Sequence, residues 1–110
     1  MKKYVFLFKG GMPKPEEAKE HMMKWGPWIG NLAHGEQRLG DPFQPTGKIV
    51  SGSMGDQVAD ITMDNNMVSG YFVVEAENYD GAVALTKGCP IFENSGSVEV
   101  REIMPMDMSM

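Results

Sequence analysis

Two histidines, one cysteine and a Glu-Arg alternation are the side chains of this 110-residue sequence best suited to chemistry. His21 opens the stretch HMMKWGPWIGNL, beside Trp25 and Trp28, the chain's two tryptophans. Imidazole titrates close to neutral pH, so a histidine on an aromatic margin is a candidate general acid or base. Near the C-terminus, SVEVREI alternates, with Val98 and Val100 on one side of a strand and Glu99, Arg101 and Ile103 on the other. Charges on that second side need partners, either a ligand or each other as a register-fixing pair. The tryptophans read as packing bulk or, with Tyr71, as pocket walls. Cys89 stands alone, with Lys87 its one basic neighbour, and reads as a small buried apolar residue. His34 reads as helix-end electrostatics. The spacing of His21, His34 and Cys89 matches no zinc pattern, and no Gly-rich strand-to-helix motif occurs, so neither a metal nor a cofactor is expected.

The elements that must position these residues follow from periodicity. Tyr4–Phe8, Lys48–Ser51, Gln57–Thr62, Gly70–Ala76 and Ser97–Ile103 read as strands. A helical pattern runs from about Pro15 to His34 and stops at Gly35. Residues 36–47, with their prolines and glycines, read as a long loop. A second, short helix is capped by Asn78 or Asp80, packs Ala82, Val83, Ala84 and Leu85 inward, and ends at Gly88-Cys89-Pro90. The order predicts an α+β fold, a ferredoxin-like antiparallel sheet with two helices on one face. Residues 1–104 form one domain and 105–110 a flexible Met-rich tail.

Strand one is apolar on both faces, Tyr4, Phe6 and Phe8 against Val5 and Leu7, and the Tyr71 strand has apolar residues on both. Two helices cover one face only. The second face predicts a homodimer joined sheet to sheet, with Glu99 and Arg101 in the space between.

On a helical wheel, Ala18, Met22, Trp25, Ile29, Leu32 and Ala33 share an apolar arc, with His21 and Trp28 on one border. Gly26-Pro27 breaks the pattern. A proline in a helix interior costs about 3 kcal/mol, so the helix is expected to kink over residues 23–27 or to restart at Pro27. Such a bend would sit between His21 and Trp28.

A net charge of -5 and the lack of any Lys/Arg run argue against nucleic-acid or anionic-membrane partners. No transmembrane stretch is present, and the apolar run after Lys2-Lys3 is too short for a signal peptide, so a cytoplasmic protein is expected.

The ordered pieces MKKYVFLFKGG, PEEAKEHMMKWGPWIGNLAHG, PTGKIV and SGYFVVEAENYDGAVALTKGCPIFENSGSVEVREI resemble the YCII-related proteins, specifically their DGPF-type branch. The resemblance implies a ferredoxin-like dimeric α+β barrel, similar to small enzymes such as muconolactone isomerases. It also implies a His-Asp pair in a cleft, falling here on His21 and Asp60, and a regulatory setting beside sigma factors. The chain departs from the pattern at Pro27. Its Asp-Gly-Pro-Phe loop is also degenerate: residues 59–66 read ADITMDNN, retaining Asp60.

Two functions compete. In the first, a cofactor-independent isomerase- or lyase-like enzyme uses His21 as acid or base, Asp60 to orient it and Arg101 to hold a small anionic substrate in a dimer cleft. In the second, a non-catalytic ligand-binding or regulatory dimer uses a pocket of Trp25, Trp28 and Tyr71, with Glu99 and Arg101.

Overall fold

The computed structural model describes residues 2–32, 40–62, 64 and 66–105. Its strands are β1 (Lys2–Lys9), β2 (Gly40–Pro42), β3 (Lys48–Ser51), β4 (Gln57–Asp60), β5 (Val68–Ala76) and β6 (Ser97–Glu102). Its helices are α1 (Ala18–Leu32), led by a 3-10 turn at Pro15–Glu17, and α2 (Tyr79–Ala84). A further 3-10 turn spans Pro90–Asn94. His34 and Gly35 lie outside the described residues.

Four strands form an antiparallel sheet in the order β2-β5-β1-β6, while β3 and β4 pair with each other as a separate hairpin. The architecture is α+β, consistent with a ferredoxin-like fold. In the β1–β5 and β1–β6 ladders Phe6 faces Phe72 and Val100, and Phe8 faces Gly70 and Val98. Residues directly opposite share a face, so Tyr4, Phe6, Phe8, Phe72, Val74, Val98 and Val100 form one side. That side meets Trp28 of α1, Ala82 of α2 and Ile91 in a single core. Val5, Leu7, Tyr71, Val73, Glu99 and Arg101 fall on the other side, which no helix among the described residues covers.

Four sequence expectations are corrected. First, a strand, β2, lies inside the region read as loop. A Cβ on Gly40 would meet the Tyr71 carbonyl and lie 2.7 Å from Phe72 Cα, so glycine lets this segment close onto β5. Second, α1 continues through Pro27 as one helix, so the restart at Pro27 does not occur. Pro27 is exposed, so the carbonyl it deprives of a donor is near solvent rather than in the core.

Third, the buried stripe of α1 is rotated toward the His-Trp border. His21 is 7% and Trp28 8% exposed, whereas Met22 is 56% exposed. The wheel ranked side chains by apolarity, but His21 and Trp28 can be buried because their nitrogens find partners. Fourth, α2 is one short turn-and-a-half capped by Asn78, whose Oδ1 accepts from Gly81 N at 2.8 Å. Ala82 and Leu85 pack inward; Val83 is 52% exposed and Ala84 exposed. With six residues, α2 turns only one narrow side to the sheet.

Candidate functional site

The spacing of His21 and Trp25 on α1 puts both rings on one side of the helix, one turn apart. The Trp25 indole Nε1–H donates to His21 Nε2 at 3.0 Å. Asn94, from the turn after Cys89-Pro90, meets His21 Nδ1 at 3.3 Å. An indole can only donate, so Nε2 must be the acceptor and the neutral ring carries its proton on Nδ1. The Asn94 atom at that distance is the amide Nδ2, so with the ring proton on Nδ1 the amide must turn over for its oxygen to accept. Both ring nitrogens are thereby engaged.

The tryptophans extend this cluster into the core. Trp25 and Trp28 stand edge-to-face at 5.6 Å, and Phe8 meets Trp25 at 5.0 Å and Trp28 at 5.9 Å. Trp28 Nε1–H donates to the Lys87 carbonyl at 3.1 Å. Two chain segments far apart in sequence are thus pinned to α1, at Lys87 and at Asn94. Outside His21 lies a polar cleft of about 280 Å³ bordered by Pro13, Glu17, Glu20, Lys24 and Glu93. Lys24 Nζ pairs with Glu93 Oε1 at 2.7 Å, and that hydrogen bond raises the ammonium pKa. Cys89 is buried against this core, and desolvation pushes its thiol up to about 11, away from the range of a reactive thiolate.

The other proposed site residues lie elsewhere. Tyr71 and Glu99 flank Leu7 in one rung of the open face, and Val73 and Arg101 flank Val5 in the next. Phe43 lies against Tyr71 at 5.8 Å. Glu99 bridges Lys9 at 3.1 Å and Arg101 at 3.9 Å. Asp60 ends β4 and pairs with Lys48 across the hairpin. The structure therefore brings His21, Trp25 and Trp28 together on the helix side. It gathers Tyr71, Glu99 and Arg101 on the opposite side of the sheet, and leaves Asp60 on the hairpin. Among the described hydrogen bonds none joins His21 to Asp60.

Asn94 and the Lys24–Glu93 pair escaped the sequence reading. The i, i+4 spacing announced Trp25 as a neighbour of His21, but Asn94 is 73 residues away and no local pattern links them. Among the described residues no group of three or more His, Cys, Asp or Glu side chains is arranged to hold a metal ion.

The model of the YCII-related domain matches residues 14–107, from the connector before α1 to beyond β6. The chain belongs to the YCII-related family. No curated protein matches it. In this YCII-related domain, the matched segment contains both the His21–Trp25–Asn94 cluster and the open-face rungs of β5 and β6.

Proposed function

We propose that this YCII-related domain, of the DGPF type, works as a cytoplasmic homodimer. Its two open sheet faces meet to form an α+β barrel and bind a small anionic molecule in the cleft between them. The observation that carries this reading is the mixture on the open face: half-buried Val5, Leu7, Tyr71 and Val73 beside exposed Arg101. Aliphatic rungs supply the dimer contact, and a guanidinium presents a planar fork to a carboxylate or phosphate. Binding without turnover is favoured because His21 has Nε2 occupied by the Trp25 indole and Nδ1 by Asn94.

The second reading keeps His21 as acid-base catalyst of an isomerase- or lyase-like reaction, with Asp60 orienting it and Arg101 holding the substrate. The polar cleft beside His21 favours it. It requires Trp25 to release Nε2, Asp60 to leave Lys48, and a substrate-holding group other than Arg101, which lies across the sheet from His21.

The deciding experiment is a thermal-shift screen of small carboxylates and phosphates on the wild type, Arg101→Ala and His21→Ala, with each hit followed by proton NMR. Stabilisation that disappears in Arg101→Ala, survives in His21→Ala and leaves the compound unchanged supports the binding dimer. Conversion of a hit that stops in His21→Ala supports the enzyme instead. Sedimentation of the wild type as a monomer at micromolar concentration would end the dimer reading.

A further inference from the structure

The β3–β4 hairpin is the element least accounted for by its own chain. All of its strand residues are exposed, with Val50 at 62% and Val58 at 63%. A two-stranded hairpin alone is marginal in water, and aliphatic side chains on both of its sides add to the difficulty. One side presents Ile49, which shares a half-open cavity of about 620 Å³ with Phe43, Ile61 and Met67. The other side carries the Val50/Val58 rung and, next to it, the Lys48/Asp60 ion pair. The chain is also more extended than its length requires: its radius of gyration is 15.8 Å, against about 13 Å for a compact domain of this size.

We propose that this hairpin is an arm that laps onto a second copy of the chain, along the β6 border of its open sheet face. This inference rests on the sheet-face dimer proposed above. The arm follows β2, one edge of the sheet, and β6 is the other edge. A two-fold axis running along the strands stacks two open faces with β2 of one copy over β6 of the other, and so delivers each arm to the opposite border.

The chemistry of the two surfaces matches there. The arm offers an aliphatic rung and an ionic rung. The border offers Val5 and Leu7 with Arg101 and Glu99 beside them. Same-face rungs recur every second residue, ~7 Å apart, in both. Lys48 and Glu99 are each accessible, at 66% and 39% side-chain exposure. Laid with its Val50/Val58 side on Val5 and Leu7 of β1, the arm brings the Lys48/Asp60 pair over β6, where Lys48 meets Glu99 of the partner subunit. The chain's net charge of -5 disfavours nucleic acid or an anionic membrane as the alternative occupant.

The test is the dimer dissociation constant, measured by sedimentation on five variants whose folding is verified by circular dichroism. Val50→Glu with Val58→Glu, both at exposed positions, is expected to weaken the dimer ~10-fold or more. Lys48→Glu and Glu99→Lys should each weaken it, and the chain carrying both should return to within ~3-fold of the wild type, since each arm again meets an opposite charge. The fifth variant, Val73→Glu, reports on the sheet-face contact. If Val73→Glu yields monomers while the arm variants remain wild-type dimers, the sheet-face dimer stands and the arm assignment is overturned. Additive weakening in the charge-swapped chain also overturns it. A monomeric wild type removes both.

Discussion

Val73 and Val74 are neighbours on β5, yet they live in different surroundings. Val74 is 6% exposed beneath the helices, in register with Tyr4. Val73 stands half-exposed on the open face, opposite Val5. The same alternation runs through β1 and β6, so one sheet has a closed side and an unclosed one. On the closed side even polar atoms are matched, including both nitrogens of His21 and the indoles of Trp25 and Trp28. On the unclosed side, aliphatic rungs sit beside ions that reach only each other. A helix layer completes its face within one chain, whereas the opposite face has the composition of a surface awaiting a second one.

The sharpest way to break this contrast is at the closed side's centre. Trp28→Ala removes a buried ring, its hydrogen bond to Lys87 and its edge-to-face contacts. It should cost about 3–5 kcal/mol in urea denaturation. A loss below about 1 kcal/mol would mean that the helix face is not the core.

Pro27→Ala acts on the same helix from its exposed side. It restores a helical N–H and should stabilise by up to about 3 kcal/mol, while leaving ligand-induced thermal shifts intact. Unchanged stability with loss of binding would instead show that the proline shapes the site.

The valine pair tests the contrast directly. Val74→Ala should lower unfolding stability by about 2 kcal/mol, and Val73→Ala by under about 1 kcal/mol in dilute protein. In the proposed dimer, Val73→Ala should show itself in the dissociation constant. Equal effects on unfolding would erase the distinction between the faces.

Gly30→Ala is a finer probe of the outer side of α1. A Cβ there meets nothing within 4 Å, and the better helix former should add about 0.5–1 kcal/mol. Cys89 gives the mildest readout. Its thiol titrates near 11 when folded, against 9.0 for the free group. The unfolded chain therefore loses this proton first. The stabilisation is complete below pH 9 and declines as the pH rises toward 11. Thiol reagents at neutral pH should label Cys89 only after denaturant is added.

Much of the architecture was legible because it is local. The alternation in Tyr4–Phe8 and in Val98–Arg101 assigns faces without knowledge of a partner strand, and the start of α2 is narrowed to Asn78 or Asp80, of which Asn78 is the cap. The failures are non-local. Gly40-Asp41-Pro42 has the composition of a loop and becomes a strand only because a distant backbone, at Tyr71 and Phe72, has room to approach a glycine. The turn at residues 52–56 joins Lys48–Ser51 to the strand that begins at Gln57, but nothing within the two says that their hairpin stands apart from the main sheet. For the candidate site, the neighbourhood of His21 and Trp25 follows from helix geometry. The third partner, Asn94, and the separation of Arg101 from His21 by the thickness of the sheet depend on how the chain returns. Apolarity alone also misjudged Met22 against His21, since burial follows hydrogen-bond satisfaction as well as side-chain character.

The Trp25–His21 contact gives the molecule an optical handle. The chain has two tryptophans, both on α1, and the indole of one donates directly to an imidazole whose protonation would remove the acceptor. Excited selectively over the tyrosines, tryptophan emission therefore comes from the closed face. It reports the state of His21 and the integrity of the helix layer. Dimerisation and ligand capture take place on the other side of the sheet and leave both indoles undisturbed. Fluorescence and sedimentation thus give separate readings of the two sides of one sheet, in the same sample and without a label.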